Sequence, residues 1–85
     1  MGVIRDESMG KAGYVLKQVL EQYNITQYQL AANLAINRTS VYRWCNGKID
    51  PTGDTILEIL RVLKAINPKA AEAFVTQYIS SELDD

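Results

Sequence analysis

The stretch from residue 27 to 47, QYQLAANLAINRTSVYRWCNG, constrains the fold of this chain more than any other part of it. Its apolar residues recur at intervals of three to four positions, the spacing that gives a helix one buried face. The stretch therefore predicts two short amphipathic helices joined by a three-residue turn at residues 35–37. The apolar positions of the two helices are Leu30, Ala31, Leu34, Val41 and Trp44.

Polar residues and a glycine mark the ends of these two helices. Thr26 opens a capping box and Asn37 is a second N-cap, because their side chains accept hydrogen bonds from the free N–H groups of a helix start. Gly47 ends the second helix, since glycine readily adopts the left-handed conformation common just past a helix. We expect helices at about residues 27–34 and 38–46.

Three further helices are predicted outside this region. The first covers about residues 10–23 and is followed by Asn24, a residue type that tolerates left-handed backbone. The other two cover about residues 53–65 and 68–81. No segment alternates polar and apolar residues long enough to indicate a strand. The expected fold is all-α, with five helices.

The length of 85 residues predicts one domain with a small core. We assign residues 1–9 to a flexible arm, residues 10–81 to the helical domain and residues 82–85 to an acidic tail. Ile36 is expected to project from the turn into the core, and Trp44 to set the angle of the third helix. The predicted core residues are Leu16, Leu30, Ile36, Val41, Trp44 and Ile59.

Composition argues against several classes of protein. The chain has no histidine and no glycine-rich phosphate loop, and the thiol of Cys45 has no histidine base, so we expect no enzyme. A single cysteine forms no intramolecular disulfide and no thiolate zinc site, so we expect no metal and no cofactor. No apolar run reaches membrane-spanning length and no signal peptide is evident. The lack of such segments, together with a single free thiol, favours a location in the reducing cytoplasm.

Charge is unevenly distributed along the chain, although its net value is only −1. Residues 1–49 hold six basic and three acidic side chains, whereas residues 50–85 hold three basic and seven acidic ones. A basic half that carries the two short helices can meet a polyanion, since the local field matters more than the total charge. Chance asymmetry on an ordinary surface explains the same numbers equally well.

The two short helices and their flanks resemble the lambda repressor/Cro-like (XRE-type) helix-turn-helix family over roughly residues 13–63. The residues that carry the resemblance are Thr26, Gln27, Leu30, Ala31, Leu34, Ile36, Val41, Trp44, Asn46, Gly47, Lys48 and Pro51. The resemblance implies a five-helix domain that binds double-stranded operator DNA, usually as a dimer. Two positions depart from the family pattern. Ala35 stands where the family often has glycine. Cys45 stands where it often has a glutamate that helps to hold the end of the recognition helix.

The third helix carries the candidate base-reading residues, because the second helix of such a motif enters the major groove. Arg38 lies at the start of that helix, where the dipole disfavours a cation, whereas its guanidinium fits a guanine edge or a phosphate. A solvated surface arginine is the alternative. The resemblance implies base reading by Arg38, Thr39 and Arg43. Tyr42 shares their face and is the fourth candidate, although it could instead pack against the helix at residues 27–34.

Three polar residues are candidates for phosphate contacts. The resemblance implies a phosphate clamp at Gln27, although capping alone would also explain a polar residue at a helix start. Asn46 and Lys48 are predicted to contact phosphates at the far end of the third helix, and helix termination is the other explanation of Asn46. Tyr28 lies either close to the DNA or on an ordinary surface.

The fifth helix has an apolar face that fits two interpretations. Its residues are Phe74, Val75, Tyr78 and Ile79. They form a homodimer interface, or they complete the core of the monomer, which is the favoured interpretation for Phe74. The function expected from these features is a DNA-binding transcriptional regulator, a repressor on a near-palindromic operator. The alternatives are the antitoxin of a toxin–antitoxin pair and a protein-interaction module of the same fold.

Overall fold

The computed structural model describes residues 11–83, with side chains for residues 11–80. This part of the chain contains five helices and no strand, which confirms the predicted all-α class. The helices are α1 (Lys11–Gln22), α2 (Gln27–Leu34), α3 (Arg38–Cys45), α4 (Gly53–Ile66) and α5 (Pro68–Leu83). None of these described helices is long and apolar enough to span a bilayer.

Only the C-terminal end of the chain can be compared with the expected organisation. α5 continues to Leu83, past the predicted end at Ser81, so the first residues of the predicted acidic tail belong to the helix. The predicted arm at residues 1–9 lies outside the described residues.

The helix starts are fixed by the side chains that the sequence marks as caps. The hydroxyl of Thr26 accepts a hydrogen bond from the backbone N–H of Gln29 at 2.9 Å. The side-chain oxygen of Asn37 accepts one from the backbone N–H of Thr39 at 2.7 Å. Thr52 caps α4 in the same way. These bonds satisfy N–H groups that have no partner inside their own helix.

Three residues with left-handed backbone end the first three helices. Asn24, Ala35 and Gly47 have φ values of 57°, 60° and 72°. At the middle one, the N–H of Ile36 donates back to the carbonyl of Ala31 at 3.0 Å, a bond that closes the end of α2. Asparagine and glycine suit this conformation, whereas alanine adopts it only with strain. The turn therefore has left-handed backbone at Ala35, the position where the resemblance implies glycine.

One core collects buried side chains from all five helices. Five of the six predicted core residues are buried, namely Leu16, Leu30, Val41, Trp44 and Ile59. Ile36 is the correction, because it is 38% exposed. It directly follows the left-handed Ala35, where the chain reverses at the tip of the turn. Leu34 at the end of α2 packs against the core instead.

The packing order of the helices places α3 on an outer edge of the domain. α1 contacts α3 and α5, α2 contacts α3 and α4, and α4 contacts α5. α3 is thus held from two sides, by α1 and α2, and its remaining side faces solvent.

Candidate nucleic-acid interface

α3 has one buried and one exposed face. Val41 is fully buried and Trp44 is 8% exposed, and both belong to the core. The four residues predicted to read bases are all exposed: Arg38, Thr39, Tyr42 and Arg43. Residues three or four apart on a helix are neighbours, which explains why these four share one side. We call this surface the recognition face.

The starts of α2 and α3 meet beside the recognition face. Gln27, Arg38, Thr39 and Tyr42 line a small open cleft of ≈ 210 Å³ between them. Neither helix has an acidic residue in its first turn. Two helix starts with free N–H groups and positive dipole ends therefore lie at one cleft, and an arginine lines it. This arrangement suits an anion such as a DNA phosphate.

Arg38 lies against an aromatic ring from the neighbouring helix. The guanidinium carbon of Arg38 lies 5.6 Å from the ring centre of Tyr28, within the range of a cation–π contact. The Tyr28 side chain is 64% exposed, so the contact is at the surface and not in the core. Tyr28 is therefore exposed and lies next to Arg38, and its closeness to DNA stays a prediction.

The other two phosphate candidates lie beyond the opposite end of α3. The side-chain amide of Asn46 donates to the carbonyl of Tyr42 at 2.8 Å, which closes the helix and leaves one amide hydrogen for a ligand. Lys48 is exposed, and its backbone N–H donates to the carbonyl of Arg43 at 2.9 Å. A cation here is favoured by the negative end of the helix dipole. The structure therefore places Gln27 beside three of the base-reading candidates at the start of α3. Asn46 and Lys48 lie past the other end of α3.

Sequence reasoning missed the close contact of Gly13 with the far end of α3 and the bond between Gly13 and Asp50. Gly13 of α1 lies so close to α3 that a Cβ atom there would overlap the backbone carbonyl of Trp44. The N–H of Gly13 also donates to a carboxylate oxygen of Asp50 at 3.4 Å. The available signal was a glycine inside an amphipathic helix, which costs about 1 kcal/mol relative to alanine and usually has a packing reason.

A family model described as helix-turn-helix matches residues 16–69, more than half of the chain. The chain belongs to the lambda repressor/Cro-like (XRE-type) helix-turn-helix family. This membership supports a DNA-binding regulator, and the family is not typically enzymatic. The match contains all of α2, α3 and α4, and with them the recognition face. The search of curated proteins and the search of solved structures each gave no match.

The last residue of α3 in this XRE-type domain is a cysteine, at the position where the resemblance implies a glutamate. Cys45 occupies that position and is 5% exposed. Burial raises the pKa of the Cys45 thiol to about 11, partly offset by Lys17 and reinforced by Glu21. The thiol is therefore neutral at ordinary pH and belongs to the core, not to the recognition face. The described residues contain no group of acidic, histidine or cysteine side chains that could hold a metal.

The apolar residues of α5 divide between the core and the surface of this XRE-type domain. Phe74 is 1% exposed and completes the core, the interpretation favoured for it, so it is not part of an exposed dimer surface. Tyr78 is half-buried and stacks on Phe74, with ring centres 5.9 Å apart. Val75 and Ile79 are exposed. Val75 also lines, with the exposed Leu57, an open groove of ≈ 640 Å³ between α4 and α5.

Proposed function

We propose that this XRE-type regulator is a sequence-specific repressor that reads a near-palindromic operator through the major groove. One observation carries the proposal: Arg38, Thr39, Tyr42 and Arg43 are all exposed on a helix whose other face is buried. A helix held from behind presents its side chains at a fixed angle, which base reading requires. Occupying the operator suffices for repression, because the bound protein excludes others from the same base pairs.

The recognition face offers complementary chemistry for base edges. The guanidinium groups of Arg38 and Arg43 each match the paired acceptors O6 and N7 of guanine. Thr39 offers a methyl group to thymine and a hydroxyl to a base or phosphate. Tyr42 supplies a phenol for the sugar–phosphate backbone. We infer that the two arginines carry most of the sequence preference.

Phosphate contacts on both sides of α3 would fix its register in the groove. At one end, Gln27 and the free N–H groups of the α2 start would clamp a phosphate in the cleft. At the other end, Lys48 and the remaining amide hydrogen of Asn46 would contact the backbone. Such contacts give affinity for any sequence and leave discrimination to the recognition face.

We propose a symmetric homodimer through α5 as the binding form. A single module buries only about 600–1,000 Å² of protein surface on DNA, which limits affinity and specificity. Val75, Tyr78 and Ile79 supply apolar side chains that are exposed or half-buried, and the adjacent groove adds Leu57. Two copies would present their recognition helices about 34 Å apart, one turn of DNA, on a near-palindromic site.

Selection of bound duplexes from a random DNA pool tests the proposal, followed by fluorescence anisotropy on the enriched sequence. We expect an enriched motif with two inverted halves, and an affinity that falls steeply and linearly in log–log form as salt rises. A reporter placed behind the motif should be expressed less when the protein is present. Lack of any enriched duplex, even in dilute buffer, would contradict DNA reading and favour the protein-interaction module.

We expect the protein to act in the cytoplasm, where its free thiol stays reduced.

A further inference from the structure

We infer that Tyr28 is a positioning residue that holds Arg38 ready for base reading, an inference that rests on the proposed function. Tyr28 lies on α2 and Arg38 opens α3, and the guanidinium carbon is 5.6 Å from the ring centre. The contact thus joins the two helices, and Arg38 also lines the cleft with Gln27, Thr39 and Tyr42.

Arg38 needs an outside partner because its own helix does not favour it. The first residue of a helix feels the positive end of the dipole, which disfavours a cation. The first turn of α3 contains no acidic residue to compensate. The electron-rich face of an aromatic ring attracts a guanidinium and therefore offsets part of this repulsion.

An aromatic ring also suits a DNA-reading arginine better than a carboxylate would. A carboxylate would take the N–H donors of the guanidinium and would repel nearby phosphates. A ring below the guanidinium limits its movement but leaves the donors at its edge available for O6 and N7 of guanine. Tyr28 is therefore expected to affect the base preference of Arg38 more than the stability of the fold.

The test compares Tyr28→Leu, which removes the ring, with Tyr28→Phe, which keeps it. Tyr14→Leu is the matched control, because Tyr14 is also exposed, at 58%, but lies on α1. Each variant is titrated with two duplexes. The first is the selected duplex. The second, called the altered duplex, is changed at the one base pair for which Arg38→Ala loses its preference. Each replacement at Tyr28 is also made in the Arg38→Ala background. NMR of the free protein measures the ring-current shift of the Arg38 side-chain protons.

Tyr28→Leu should weaken binding to the selected duplex about two- to fivefold, the range of an exposed cation–π contact. It should change neither binding to the altered duplex nor binding in the Arg38→Ala background. Tyr28→Phe and Tyr14→Leu should bind like the native chain. The Arg38 protons should be shifted upfield in the native and Tyr28→Phe proteins and unshifted in Tyr28→Leu.

Three results would overturn the inference while leaving the proposed function intact. They are additive losses from Tyr28→Leu and Arg38→Ala, an equal loss from Tyr28→Phe and Tyr28→Leu, and unshifted Arg38 protons in the native protein. An equal loss from the two Tyr28 variants would assign the effect to the tyrosine hydroxyl. Failure of the native chain to bind any duplex would overturn the proposed function and this inference together.

Discussion

At the scale of the residue, Gly13 sets how closely α1 approaches the C-terminal end of α3. Replacing Gly13 with alanine should lower the free energy of unfolding by about 1–3 kcal/mol, because the new Cβ meets backbone that cannot rotate away. Helix propensity acts in the opposite direction and limits the loss. Urea unfolding of the two proteins measures the difference.

Gly53 is the matched control for this prediction. A Cβ at Gly53 meets no atom within 4 Å, so Gly53→Ala should change the free energy of unfolding by less than ~0.5 kcal/mol. Equal effects of the two alanines would show that the contact with the Trp44 carbonyl does not limit the packing of α1.

Ala35 is the one non-glycine, non-asparagine residue with a positive φ among the described residues. Ala35→Gly should raise the free energy of unfolding by about 0.5–1 kcal/mol, since glycine removes the left-handed strain but loses more chain entropy on folding. Ala32→Gly, in the exposed and right-handed interior of α2, should lower it by a similar amount. Thermal unfolding of both variants checks that one is more stable and the other less stable than the native chain.

The buried thiol of Cys45 predicts a loss of stability at high pH. Its pKa rises on folding from an ordinary 9.0 to about 11, so the neutral thiol stabilises the fold fully below pH 9. This contribution is lost as the pH rises from 9 through about 11, because only the unfolded thiol ionises freely. The loss should reach about 2 kcal/mol by pH 11.

Urea unfolding in reductant between pH 7 and 11, on the native chain and Cys45→Ala, isolates this effect. Lysines and tyrosines titrate in both proteins, so the difference between the two curves belongs to the thiol. The difference in the free energy of unfolding between the native chain and Cys45→Ala should become smaller above pH 9. Parallel curves across the range would contradict the shifted pKa.

At the scale of the element, the ends of α2 and α3 were predictable because their signals are local. A cap such as Thr26 or Asn37 bonds to an N–H two or three residues away, and Gly47 acts on the turn that contains it. The features that were predicted wrongly or missed involve contacts between helices. Ile36 is apolar, yet the reversal at Ala35 leaves it partly exposed, and nothing near Gly13 in the sequence reveals the carbonyl that it faces.

The exposed face of α3 was also predictable, because helical spacing separates Arg38 and Thr39 from Val41 and Trp44. The partner of Arg38 was not, since a tyrosine on a neighbouring helix gives no spacing signal. The sequence could thus predict which residues face outward, but not which of them support one another. That distinction depends on how α2 and α3 pack.

The two ends of α3 should differ in how they affect DNA binding. Arg38→Ala should lower affinity for the selected duplex by about 1–3 kcal/mol and relax the preference at one base pair. Lys48→Ala should weaken all duplexes alike and reduce the salt slope by about one. Anisotropy titrations over a salt series measure both effects. Lys69→Ala, which removes an exposed lysine of α5, is the charge-matched control and should leave both the affinity and the salt slope unchanged.

At the scale of the whole molecule, oligomeric state is the property that sequence periodicity resolves least. Phe74, Val75, Tyr78 and Ile79 look alike as an apolar helical face, yet the fold buries the first and leaves the second and fourth exposed. Only the packing of α5 against α1 and α4 decides which side chain completes the core. The apolar surface that remains exposed on α5 is the one that the proposed dimer would bury.

Ile79→Glu should therefore separate the proposed dimer without unfolding the monomer. Ile79 is 50% exposed, so a carboxylate there stays hydrated in the monomer but would be desolvated in the interface. Analytical ultracentrifugation should show the native chain as a dimer and the variant as a monomer. The variant should bind a full operator much more weakly and a single half-site with unchanged affinity, because each recognition face is intact. Ser80→Glu, which adds the same charge at the neighbouring exposed position, should remain dimeric. A native chain that stays monomeric at the concentrations that saturate the full operator would refute the α5 interface.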